Sequence, residues 1–147
     1  MNIEFSKAQK RIATLWFLSS LIIFFVFFLQ TVFGKFENNI KEAWGWLLPL
    51  VLPNLTLMLS IFFSDLHQQK KSEYNLFETD IFFYRLTLGI SFFYLGTILL
   101  IILLQPLSTK SIFQLMSDSS IFLGPIQAIV SGSIGLFFIN RKQNNAG

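Results

Sequence analysis

Apolar residues gather into four long, nearly unbroken runs, at about 12–33, 46–64, 81–104 and 121–139, separated by short polar stretches. Each run approaches the roughly 20 residues a helix needs to cross a bilayer. Lipid offers a bare backbone no hydrogen bonds, so a spanning segment must be a helix or part of a closed barrel. Barrel strands alternate apolar and polar positions, and these runs do not. The pattern therefore predicts an all-α polytopic membrane protein, a single four-helix transmembrane domain over residues 1–147 with short loops.

The polar stretches carry the topology. Lys7, Lys10, Arg11, Lys70, Lys71, Arg85, Arg141 and Lys142 fall on one side of the four runs, and only Lys35, Lys41 and Lys110 on the other. Basic residues favour the cytoplasmic side, which predicts a multi-pass protein of the plasma (inner) membrane with both termini in the cytoplasm. Trp44 and Trp46 then fall at the outer interface, and Trp16 and Tyr84 at the inner one, where amphipathic rings settle. The first run follows a basic flank but is longer than a secretory signal core and lacks a small-residue cleavage pattern. It reads as a retained anchor.

Two connections have features of their own. Residues 65–80 mix both charge signs with Tyr74, Leu76 and Phe77, which fits a solvated hairpin end or a docking surface for a cytoplasmic partner. Ser111 and Gln114 stand at capping-box spacing ahead of Leu115 and Met116, which predicts a short interfacial helix outside the membrane.

Composition agrees with the pattern. Hydrophobic residues make up 53% of the 147 and charged residues only 13%, and the mean hydropathy is +0.60. Soluble domains carry about twice that share of charge. With no cysteine and His67 as the single histidine, thiol chemistry and His-rich metal sites are excluded. No phosphate loop or nucleophile elbow is present: "GSIG" lacks the G-x-S-x-G pattern. Asn54 begins an N-L-T pattern, but it falls inside a span and is discounted as a glycosylation site. No enzyme activity, cofactor, metal or nucleic-acid partner is expected.

Candidate chemistry lies in the few polar and helix-weakening positions within the spans. Pro49 and Pro53 each remove a backbone donor, freeing the carbonyls of Gly45 and Pro49. Counting about 1.5 Å per residue puts Asn54, Gln127 and Thr97 in one layer, roughly 10 Å from the outer boundary. In the fourth run Gln127, Ser131 and Gly135 recur on one face, with Gly124 nearly above them and Ala128 and Gly132 as an adjacent small stripe. Gly89 and Gly96 give the third run a close-approach surface of its own. Arg85 lies one turn inside the boundary, suited to an ion pair with Asp65, Glu78 or Asp80. An arginine ladder or buried carboxylate, as voltage sensing or proton coupling would need, is missing.

Two readings follow. In the first, the chain is a small homo-oligomeric channel or pore gated by a partner, ligand or voltage. Asn54, Gln127, Ser131, Gly135, Thr97, Pro49 and Pro53 then line or gate it, and Gly89, Gly96, Ala128 and Gly132 pack helices. In the second, it is a non-conducting interaction subunit of a larger membrane complex, or a membrane immunity or effector component, whose polar side chains bond one another as interhelical ties.

Overall fold

The computed structural model describes residues 2–36, 39–68 and 78–139, with side chains described for 7–36, 39–63 and 81–136. Its elements in chain order are β1 (Asn2–Glu4), α1 (Phe5–Val32), α2 (Ile40–Gln68), β2 (Glu78–Asp80), α3 (Ile81–Leu104), a 3-10 turn at Gln105–Leu107, and α4 (Ile112–Ile139). Four stretches are long and apolar enough to cross a membrane: Lys7–Val32, Ile40–Phe63, Ile81–Leu107 and Ile112–Leu136. The protein is a bundle of four membrane-spanning helices in contact with the bilayer.

The connections explain where the helices stop. At the end of α1, Gly34 takes a φ of +73°, a left-handed conformation that costs glycine little. The Lys35 N–H then donates to the Gln30 carbonyl (3.0 Å) and the Gly34 N–H to that of Thr31 (3.1 Å), closing a Schellman turn over the helix end. Partial burial in this turn pulls the Lys35 ammonium below its ordinary pKa. Phe36 folds back so that its ring lies 4.7 Å from that of Phe27. Before α4, the Gln114 N–H donates to Ser111 Oγ (3.2 Å) and the Ser111 N–H to Gln114 Oε1 (3.3 Å). The capping box is present, but the helix it opens runs unbroken to Ile139. The expected interfacial helix is the first two turns of α4.

Each helix packs on two others in the cyclic order α1, α2, α4, α3. Successive helices run in opposite directions, so α1 and α3 form one parallel pair and α2 and α4 the other. The start of α1 and the end of α4 lie at one end of the bundle, here called the terminal end. The α1–α2 and α3–α4 connections lie at the far end. At the terminal end, β1 and β2 form a two-stranded antiparallel ribbon with Asn2 opposite Asp80 and Glu4 opposite Glu78. It joins the start of α1 to the start of α3, and the hydropathy pattern gave no sign of it.

Interior packing corrects one expectation about the aromatic residues. Trp16, placed at the lipid interface by its position in the chain, is completely buried, and its ring lies 6.1 Å from that of Tyr94. Tyr84 and Trp46 are buried too. Depth in the bilayer follows from counting along the chain, whereas facing inward is a matter of helix rotation that depth does not specify.

Candidate functional site

The prolines of α2 lie inside a helix that continues from Ile40 to Gln68. Because Pro53 has no N–H, the carbonyl of Pro49 loses its intrahelical partner. That carbonyl accepts a hydrogen bond from Gln127 Nε2 of α4 at 2.6 Å. One turn along, Ser131 Oγ donates to Asn54 Oδ1 at 2.7 Å. A third bond crosses the bundle, from Tyr94 Oη of α3 to the Leu50 carbonyl at 3.0 Å, and it is buried. The weakened stretch of α2 is thus held by side chains from two neighbouring helices.

These contacts bring together Pro49, Pro53, Asn54, Gln127 and Ser131. Thr97 is at similar depth but does not join them, because its hydroxyl donates to the Phe93 carbonyl of its own helix at 2.8 Å. Gly135 lies half-buried on the same side of α4 as Ser131. The α2–α4 tie is close to the bundle surface: Pro49 and Pro53 are exposed and Gln127 half-buried, whereas Asn54 is only 1% exposed.

None of the glycines singled out for packing is in close contact within the protomer. A Cβ added at Gly89, Gly96, Gly124, Gly132 or Gly135 would meet nothing within 4 Å, and Ala128 is exposed. Arg85 is exposed as well. The expected ion pair with Asp65, and the alternatives Glu78 and Asp80, fall outside the residues whose side chains are described. So does all of segment 65–80, expected as a docking surface.

The outward faces of the two parallel helix pairs differ. On α1 the exposed side chains include Leu18, Leu21, Phe25, Phe28 and Val32, and on α3 Phe82, Phe92, Phe93, Leu100 and Leu103. On α2 they include Gly45, Pro49, Pro53, Thr56 and Ser60 among a few leucines, and on α4 Gly124, Pro125, Ala128 and Gly132 beside Ile121, Ile129 and Leu136. The Thr56 hydroxyl donates to the Leu52 and Pro53 carbonyls and the Ser60 hydroxyl to that of Leu57, so each leaves lone pairs free to accept. Pro125 removes a further backbone donor at the exposed side of α4.

Several polar groups are buried in the interior without a partner among the described residues, most of them with no interior role assigned from the sequence. Trp16 Nε1, Ser20 Oγ, Thr87 Oγ1, Ser91 Oγ and Gln9 Nε2 are buried without a hydrogen-bond partner among the described residues, as is Asn54 Nδ2. They lie mainly where α1 and α3 face each other. Ser20, Thr87 and Ser91 sit in apolar runs with no pattern to set them apart, and only Trp16 and Gln9 differ in residue type from their surroundings. Tyr94, which bonds Leu50, was missed for the same reason.

Comparison with protein families, curated proteins and solved structures gives no match to this chain. Its functional reading therefore rests on the geometry above.

Proposed function

We propose that the protein assembles in the membrane as a closed ring of identical chains, with α2 and α4 toward the common axis and α1 and α3 toward lipid, and that the ring is a pore. The carrying observation is a difference between outward faces: mostly bulky and apolar on α1 and α3, but on α2 and α4 interrupted by small, proline and hydroxylated positions between apolar ones such as Phe63, Phe122 and Ile129. Small residues favour close helix contact where no hydrophobic effect drives association. They also leave room along an axis. Thr56 and Ser60 would supply accepting oxygens to the lining, with Gln127 at its edge. The α2 backbone, lacking two amide donors, is the segment best suited to bend on opening, in response to a cytoplasmic partner, a ligand or voltage.

The test is ion flux into liposomes carrying the purified protein, with particle mass measured in parallel. A multimeric particle that conducts, with flux reduced by Thr56→Leu or Ala128→Leu, supports the proposal. A multimer with no flux under any trigger tried, or flux unchanged by both substitutions, overturns the pore.

A second reading has an observation of its own. Asn54, Gln127 and the Pro49 carbonyl are engaged within the protomer, as expected of ties in a non-conducting interaction subunit. That reading predicts stoichiometric co-purification with a different membrane polypeptide and no permeability change on substituting Ala128.

A further inference from the structure

At the far end of the bundle, a small cavity lies between α1, α2, the end of α3 and the start of α4. Its volume is about 10 Å³, and Gln30, Trp46, Ile102, Gln105 and Met116 are among its lining residues. Two of these present shielded polar atoms of opposite sense: Trp46 Nε1 and Gln30 Oε1 are both buried without a partner among the described residues. The neighbouring Trp44 makes the contrast, because its Nε1 donates to Thr31 Oγ1 at 3.2 Å.

An indole N–H can only donate, and an amide oxygen only accepts. The two do not bond each other directly, yet they border the same space. A single water occupies about one probe sphere, roughly 10–15 Å³, and needs two or more polar partners. The volume is at the lower edge of that range, Trp46 and Gln30 supply one donor and one acceptor from the cavity wall, and an apolar occupant would leave both atoms unsatisfied. We propose that this cavity is a binding site for one ordered water, which accepts from Trp46 Nε1, donates to Gln30 Oε1, and so joins α1 to α2. Gln105, also on the cavity wall, carries a side-chain oxygen of the type that accepts the remaining hydrogen of the water. The seam is otherwise held in this region by the Trp44–Thr31 hydrogen bond and by aromatic contacts, with Phe27 and Trp44 packed edge to face at 5.2 Å.

The sign of a mutational effect separates a hydrated site from a dry one. With the water in place, Trp46→Phe removes its acceptor contact and leaves Gln30 Oε1 unsatisfied, so the unfolding equilibrium should shift toward the unfolded state by about five-fold. Gln30→Leu should act in the same direction. The double variant, lacking both partners, should cost no more than the worse single one. If the cavity is dry, Gln30→Leu removes an orphaned polar atom and leaves stability unchanged or higher, and Trp46→Phe costs only its lost packing, so that the two effects add in the double variant. Nuclear magnetic resonance of the tryptophan indole groups in detergent, with the Trp46 signal assigned by its loss in Trp46→Phe, gives a readout independent of folding yield. A water cross-peak to the Trp46 indole proton supports the site. Its absence, or a neutral or stabilising Gln30→Leu, overturns it. Neither outcome depends on whether the assembled protein conducts.

Discussion

Pro53 and Gln127 act on the same atom, the carbonyl of Pro49, one by withholding a donor and the other by supplying one. Removing the supplied donor with Gln127→Leu should destabilise the bundle by about 0.6 kcal/mol, and by no more than about 1.7 kcal/mol. In a Pro53→Ala background the backbone N–H returns to that carbonyl, and the cost of Gln127→Leu should shrink. A double-mutant cycle of unfolding in mixed micelles measures the difference; equal costs in both backgrounds would mean that the glutamine acts elsewhere. Much of this was legible in the residues. Proline chemistry identifies which carbonyl is freed; depth counting puts Asn54 and Gln127 at one level, whereas each meets the other helix one turn apart, Gln127 at Pro49 and Asn54 at Ser131. Thr97 shows where such reasoning runs out. A helical threonine has the carbonyl four residues earlier within reach, so its depth says little about whether it meets another helix.

The helices themselves were readable to within a few residues at their apolar ends and less well at their polar ones. Hydropathy stops counting at the first charges, whereas helical hydrogen bonding continues. Hence α1 begins at Phe5 rather than near residue 12, and α4 at Ile112 rather than near 121. Which way each helix faces was hidden, because inward and outward surfaces are both apolar in lipid. In the proposed ring side-chain size carries that information instead, and it divides α2 and α4 from α1 and α3. Leucine at Ala128 or Gly132 should therefore leave the protomer folded, since a Cβ at Gly132 meets nothing within 4 Å, while reducing particle mass toward that of one 17.0 kDa chain. Phe92→Ala on α3 should leave the mass as it was. Light scattering on the purified variants makes the comparison, and a mass unaffected at both α4 positions would put the contact elsewhere.

Four spans place the start of α1 and the end of α4 on one side of the bilayer, and the distribution of basic residues predicts that this side is the cytoplasmic one. The absence of native cysteine makes the arrangement easy to probe. In intact cells, a membrane-impermeant thiol reagent should label Lys110→Cys and spare Lys7→Cys until the membrane is opened. The reverse result would invert the topology. Labelling of both from outside would break the four-span scheme. At this scale the number of crossings was legible because it depends only on run length and polarity. The ribbon of β1 and β2 was not: "NIE" and "ETD" are three residues each, too short for alternation to register.

That ribbon also imposes an order of events during synthesis. Its second strand ends at Asp80, so β1 must wait until the chain has been made through that residue before it finds its partner. By then α1 and α2 have already left the ribosome, and the pairing can only follow their entry into the bilayer. The ribbon therefore closes on a hairpin already made, bringing the second hairpin alongside the first as it emerges.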